Sequence, residues 1–249
     1  MKLQVFSKKD IIELVGKVST ADSLIKSYQK SNYIKSIKKN LYACLDLVTG
    51  ASIPNKYKIA SKITDSSHVS HQSAFECYGI INQVSNVVFV ASKTVFRDFE
   101  FEGLMYKFIR TKAEDGVETY ERCHDIRVTD MENTIVDMIK DFDKILGFEE
   151  LIHSLDMVVK VDSAKIAKYL SIYGSQIVYQ KAGYLLEYYK EDLKVSDELV
   201  NLCMSKIGKS TRYLLGQKPP CATEYSAKWR LVVSKNVRYF TDSGLRVLV

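Results

Sequence analysis

Apolar and polar positions repeat along this chain with two periods, and the changes of period mark its elements. Ser7 precedes Lys8-Lys9-Asp10, and Ile11, Ile12, Leu14 and Val15 form an apolar side before Gly16. That pattern predicts a short helix, capped by the Ser7 hydroxyl and stopped by a glycine that accepts a left-handed backbone. A second helix is expected from Thr20, where Ala21, Leu24, Ile25 and Tyr28 recur at helical spacing and leave Ser23, Lys26, Ser27 and Lys30 on the other side. Asn32 can end it in the left-handed conformation. Two β-rich runs, Tyr33 to Ile37 and Leu41 to Leu45, flank the basic turn Lys38-Lys39-Asn40 and predict a hairpin. Asn40 tolerates the positive φ that such a turn needs.

Helix, turn, helix and basic hairpin is the layout of a winged helix-turn-helix, in which the second helix enters a major groove and hairpin lysines touch the phosphate backbone. Residues 46–63, with Gly50, Ser52, Pro54 and Asn55, read as a connector. Beyond it a helix is expected over Ser70 to Tyr78, stopped by Gly79. Strands follow at Val87 to Ala91, Met105 to Arg110, Val117 to Glu121 and Ile126 to Val128. Helices resume near Met131 to Lys140, Phe148 to Leu155, Ser163 to Tyr173, Gln176 to Tyr189 and Asp197 to Ile207, before a final β pair at Trp229 to Val233 and Val237 to Phe240. The expected class is α+β: a winged helix-turn-helix over residues 1–60, then a larger mixed α/β domain over 61–249.

Charge sharpens this picture because it is uneven. Residues 1–63 hold 12 Lys and no Arg, for a net +8, while residues 64–204 sum to −9 and residues 205–249 to +7. Lysine beside phosphate releases condensed counterions, so a basic head on an acidic body points to a polyanion partner; a lysine-rich solvated surface is the alternative. The sequence has no apolar run approaching the ~20 residues of a membrane span and no signal-peptide core, so a cytoplasmic location is expected. Five cysteines without a C-x-x-C pair indicate reduced, packed thiols.

The candidate DNA-contacting set is Thr20, Ser23, Lys26, Ser27, Lys30, Lys35, Lys38, Lys39 and Asn40, for residues three or four apart share a helix face and the remainder sit on the hairpin. A second polyanion surface is expected at Lys206, Lys209, Arg212, Lys228 and Arg230. There Lys218 adds charge, and Tyr213, Tyr225 and Trp229 are interleaved. Core aromatics with a charged rim would give the same pattern. His68, His71 and Cys77 form H-x-x-H-x5-C, which matches no common zinc signature and reads as packing. Cys123 and His124 are neighbours on an expected strand and point to opposite faces, which argues against a nucleophile and base pair. Asp98, Glu100 and Glu102 alternate with Phe99 and Phe101, placing three carboxylates on one strand face. That is either a solvated face or the metal-holding cluster of a nuclease. Glu132 suits a first helical turn, where its charge complements the helix dipole, and Asp137 suits a local pair. No phosphate-loop, dinucleotide, nucleophile-elbow or zincin motif occurs, so neither a metal nor a cofactor is expected.

Four segments together resemble the AbiE-type (AbiEi) antitoxins of bacterial abortive-infection systems. Thr20 to Leu45, with Lys38-Lys39-Asn40 before Leu41-Tyr42, resembles their N-terminal module. Ser70-His71-Gln72-Ser73-Ala74-Phe75 running to Gly79, Asp130 to Asp137, and Lys165 to Leu186 with Gly183-Tyr184-Leu185-Leu186 resemble three motifs of the larger domain. Asn32 and Asn40 stand where the family carries Gly, an exchange the left-handed region tolerates. Members often carry a further helix before this segment, where this chain has four residues ahead of Val5. The resemblance implies a non-enzymatic two-domain antitoxin that represses its own type IV toxin-antitoxin operon by binding inverted repeats, two copies assembling on DNA. It also implies a nucleotidyltransferase-like toxin opposed without a stable complex. The alternatives are a metal-dependent nucleic-acid-processing enzyme with a winged-helix targeting head, and a stand-alone transcriptional regulator.

Overall fold

A computed structural model describes residues 4–81, 85–120, 126–145, 147–215 and 222–234. It is a mixed α/β protein with three sheets among those residues. The chain divides into two compact units, residues 1–73 with 84–129 and residues 74–83 with 130–249. The division expected after residue 60 does not coincide with this one, since residues 1–60 share a unit with the strands that follow.

The first unit opens with β1 (Val5–Ser7), α1 (Lys8–Val15), α2 (Val18–Lys30), β2 (Ile34–Lys38) and β3 (Leu41–Cys44). Ser7 caps α1 as its sequence suggests: its Oγ accepts from Asp10 N at 3.2 Å, and Asp10 Oδ2 accepts from Ser7 N at 2.7 Å. Gly16 ends the helix at φ 74°. The next helix starts at Val18 rather than at Thr20, with Lys17 as its cap residue, so Thr20 lies inside the first turn. Its end is a double stitch. Asn32 N donates to Gln29 O and Tyr33 N to Tyr28 O, Asn32 sits at φ 54°, and the Tyr28 and Tyr33 rings stand 6.0 Å apart across the reversal. This is the Schellman arrangement with its accompanying apolar contact.

β1 and β2 both pair with β3, giving a three-stranded antiparallel sheet of order β1-β3-β2. Ile37 bulges out of the hairpin register, and Asn40 in its turn takes φ 63°. Phe6, Ile25 and Ile34, with Ile11, Tyr42 and Cys44 against them, form the small core between helices and sheet. Residues 46–63 are not a bare connector, because they contain α3 (Lys56–Ala60), capped by Asn55.

A six-stranded mixed sheet completes the unit. Its order is β6 (Phe99–Phe101), β7 (Leu104–Arg110), β5 (Val87–Ser92), β4 (His68–Val69), β9 (Ile126–Thr129) and β8 (Val117–Tyr120). β5 and β7 run parallel over six paired positions, and buried Val88, Val90 and Tyr106 explain why these strands read as apolar runs. Glu102 and Gly103 form the two-residue turn between β6 and β7, at φ 51° and 76°. Positive φ at both central positions is the twist-matched hairpin turn. α4 (His71–Cys77) follows β4.

The second unit packs α5 (Met131–Ile145), α6 (Phe148–Asp156), α7 (Ser163–Tyr173), α8 (Gln176–Tyr188), α9 (Lys190–Leu193) and α10 (Asp197–Ser205) around one apolar core that includes Ile135, Phe142, Leu151, Leu170, Leu185 and Cys203. A small sheet of order β10 (Arg212–Tyr213), β12 (Leu231–Ser234) and β11 (Thr223–Ser226) adds Trp229 and Leu231 to that core. Trp229 lies flat on α8 at Gly183, where a Cβ would come within 1.9 Å of its ring. That contact explains the glycine in Gly183-Tyr184-Leu185-Leu186. The strand expected over 237–240 lies outside the described residues. No helix among them is long and apolar enough to cross a membrane.

Candidate nucleic-acid interface

α2 buries only Ala21 and Ile25. Thr20, Ser23, Lys26, Ser27 and Lys30 are all exposed, so the helical spacing gathers them on the face turned away from the small core. Among the described residues Lys26 and Lys30 have no ion-pair partner, whereas Lys8 of α1 holds Asp22 at 2.6 Å. The local acidic charge is thereby taken up by a lysine outside the face. Lys39 and Asn40 form the exposed tip of the hairpin, and Lys39 is likewise without an ion-pair partner there.

The other two hairpin lysines are engaged within the protein. Lys35 Nζ donates to Glu102 Oε1 at 2.9 Å and stands 5.4 Å from the Phe101 ring centroid. Lys38 Nζ lies 5.0 Å from the Phe96 centroid and 5.5 Å from that of Phe99, and burial pushes its ammonium below the ordinary lysine range. The hairpin register explains the difference. Ile34, Tyr42 and Cys44 face the helices, which leaves Lys35, with its partner Ala43 and with Leu41, on the opposite face of the sheet. Sequence reasoning missed Glu102, Phe96, Phe99, Phe101 and Ser52 as partners of the hairpin. The alternating Phe-Glu-Phe run was the available signal, but nothing local couples it to a lysine 67 positions away.

The alternating carboxylates do not gather. β6 covers only Phe99–Phe101; Asp98 Oδ1 accepts from Phe108 N at 2.8 Å, Glu100 is exposed, and Glu102 is bound to Lys35 and to Ser52 Oγ, each at 2.9 Å. No group of three His, Cys, Asp or Glu residues suited to a metal occurs among the described residues. His68 and His71 are buried, with their Nδ1 atoms on Ser66 O and Ser70 Oγ, and Cys77 is buried on α4. Cys123 and His124 lie outside the described residues.

In the second unit Lys206, Lys209 and Arg212 are exposed, but Lys228 is paired with Glu187 and Arg230 is half-buried at φ 48°. Trp229 is 2% exposed and donates Nε1 to Glu187 Oε2 at 2.8 Å, so it cannot stack on a base; Tyr225 is exposed and Tyr213 half-buried. Among the described residues the surface expected here keeps Lys206, Lys209 and Arg212 as exposed cations without an ion-pair partner, and Lys218 lies outside those residues. The carboxylates of α5 are held tightly. Asp130 Oδ1 caps the helix through Asn133 N, and its Oδ2 accepts from Tyr169 Oη at 2.7 Å and Lys165 Nζ at 3.2 Å. Glu132 Oε1 accepts from Asp162 N at 2.9 Å, and Asp137 accepts from Tyr173 Oη. Burial and the adjacent Asp137 charge push the Tyr173 phenol far above its usual range.

No family model and no curated protein matches the chain. Its fold is similar to that in the crystal structure of the RV2827C protein from Mycobacterium tuberculosis, with a TM-score of 0.63 at 14% identity over 92% of this chain and 86% of that one. Similarity at this level of identity shows a shared fold and nothing finer.

Proposed function

We propose that residues 4–45 are a winged helix-turn-helix and that the protein is a DNA-binding regulator rather than an enzyme. One observation carries the reading: α2 turns an exposed hydroxyl and lysine face outward, with Lys26 and Lys30 unpaired among the described residues, and a double stitch leads from its end straight into a basic-tipped hairpin. A helix presented in this way enters a major groove, with Ser23 and Ser27 at base edges and Lys26, Lys30 and Lys39 at phosphates. The resemblance to AbiE-type antitoxins supplies the biological setting. In that setting the protein is a cytoplasmic antitoxin that represses its own type IV toxin-antitoxin operon by binding promoter inverted repeats, two copies on DNA. It opposes a nucleotidyltransferase-like toxin without a stable complex.

A footprint on the DNA upstream of its own gene tests the regulator, and the expected result is a protected inverted repeat. Absence of protection there removes the autoregulatory role. Co-expression with an adjacent nucleotidyltransferase-like gene tests the antitoxin. Relief of growth arrest is expected, and persistent arrest overturns that assignment while leaving the DNA-binding reading standing.

A further inference from the structure

We infer that Glu102 is a positioning residue for the hairpin arm: it holds Lys35 as an anchor and so leaves DNA phosphates to Lys26, Lys30 and Lys39. This rests on the winged-helix reading above. The Glu102 carboxylate takes Lys35 Nζ from β2 and Ser52 Oγ from beyond β3, each at 2.9 Å, which ties both ends of the hairpin to one atom, Oε1. Beside this clamp, Lys38 lies against Phe96 and Phe99, and Lys35 against Phe101. The hairpin therefore has two supported faces, one on the small core and one on the β6–β7 turn, and only its tip is unsupported.

The backbone at Glu102 points the same way. It occupies φ 51° in a turn whose central positions favour Asn, Asp or Gly. A glutamate there costs backbone strain, which the clamp offsets through two charge-assisted hydrogen bonds. The geometry also excludes the opposite role, in which Glu102 competes with DNA for Lys35. Lys35 lies on the sheet face opposite the helices, whereas a duplex on α2 lies beyond the helices.

The test measures the salt dependence of binding to a short duplex from upstream of the gene, and to a mixed-sequence duplex, for four single variants and one charge exchange. Lys39→Ala should lower the slope of log K against log salt by about 0.9, as loss of one phosphate contact does. Lys35→Ala and Glu102→Asn should leave the slope unchanged and weaken binding by at most about fivefold, the range of an exposed ion pair. Asn suits the turn backbone but is too short to clamp, so folding of that variant is preserved. Lys35→Glu should weaken binding further, and adding Glu102→Lys should restore it, because an anchor tolerates exchange of its charges and a phosphate contact does not. A smaller slope for Lys35→Ala, a steeper slope with tighter binding for Glu102→Asn, or no rescue by the exchange overturns the proposal. Amide hydrogen exchange at the paired residues Lys35 and Ala43 in the free protein gives an independent reading, and faster exchange in Glu102→Asn is expected. If the wild-type chain binds neither duplex, the winged-helix reading fails. Unaltered exchange removes the anchor itself.

Discussion

The head and the helical unit treat charge in opposite ways. In the second unit the carboxylates described above all meet partners, while Lys206, Lys209 and Arg212 stay exposed at its edge: Asp130 holds Lys165 and Tyr169, Asp143 holds the buried Lys181 at 3.3 Å, and Glu187 holds Lys228 and the Trp229 indole. Burial pushes Lys181 below the ordinary lysine range, with Asp143 opposing. Those charges are part of the packing. In the head, a core of six side chains carries a helix whose outward lysines have no ion-pair partner among the described residues. Cations left without internal partners on a rigid face are positioned for an external anion, whereas paired ones already have theirs.

The sharpest way to break this contrast is Gly183→Ala. The new Cβ meets an indole that Glu187 fixes, so the second unit should lose about 3 kcal/mol, read as a lower denaturation midpoint. DNA affinity below the transition should be unchanged. A second effect in the same unit concerns pH. Burial pushes the Cys203 thiol up to about 12 from 9.0. The folded state then binds this proton more tightly than the unfolded state does. Stability is full below the unfolded value and falls as pH rises from 9.0 to about 12, by about 1.4 kcal/mol per pH unit for this group. Thermal melts at rising pH should show that slope, and Cys203→Ala should flatten it. Ser7→Ala removes one half of the α1 capping box and should cost about 1 kcal/mol in urea unfolding. Smallest in stability is Lys26→Ala with Lys30→Ala, within about 0.5 kcal/mol of wild type. Its effect should appear in DNA binding, as a salt slope reduced by about 1.8. An unchanged slope would make this face ordinary solvated surface.

Much of the local structure was legible. α7 begins and ends where its pattern does, Ser7 and Gly16 bound α1, and Asn32 and Asn40 take the left-handed backbone expected of them. These features depend on neighbours within a few residues. What sequence reasoning missed depends on partners far along the chain. The three-residue β1 exists only by pairing with β3, and β4 is two residues held between β5 and β9. Of the two readings open for Trp229, a stacking platform or a core aromatic with a charged rim, the second holds, because Gly183 offers the indole a flat seat that no local pattern announces. Lys35 and Lys38 counted toward a net charge that a tally treats as free. The α2 face was legible for the opposite reason: among the described residues it makes no long-range contact, so its helical period was enough.

The double stitch at Asn32 has a mechanical consequence. Two backbone hydrogen bonds and a tyrosine pair span the few residues between helix end and strand start, which leaves no slack between them. The outward side chains of Ser23, Lys26 and Ser27 can therefore be exchanged without altering where the tip at Lys39 arrives. A single inserted residue after Lys30 would turn that tip aside even if every side chain were kept.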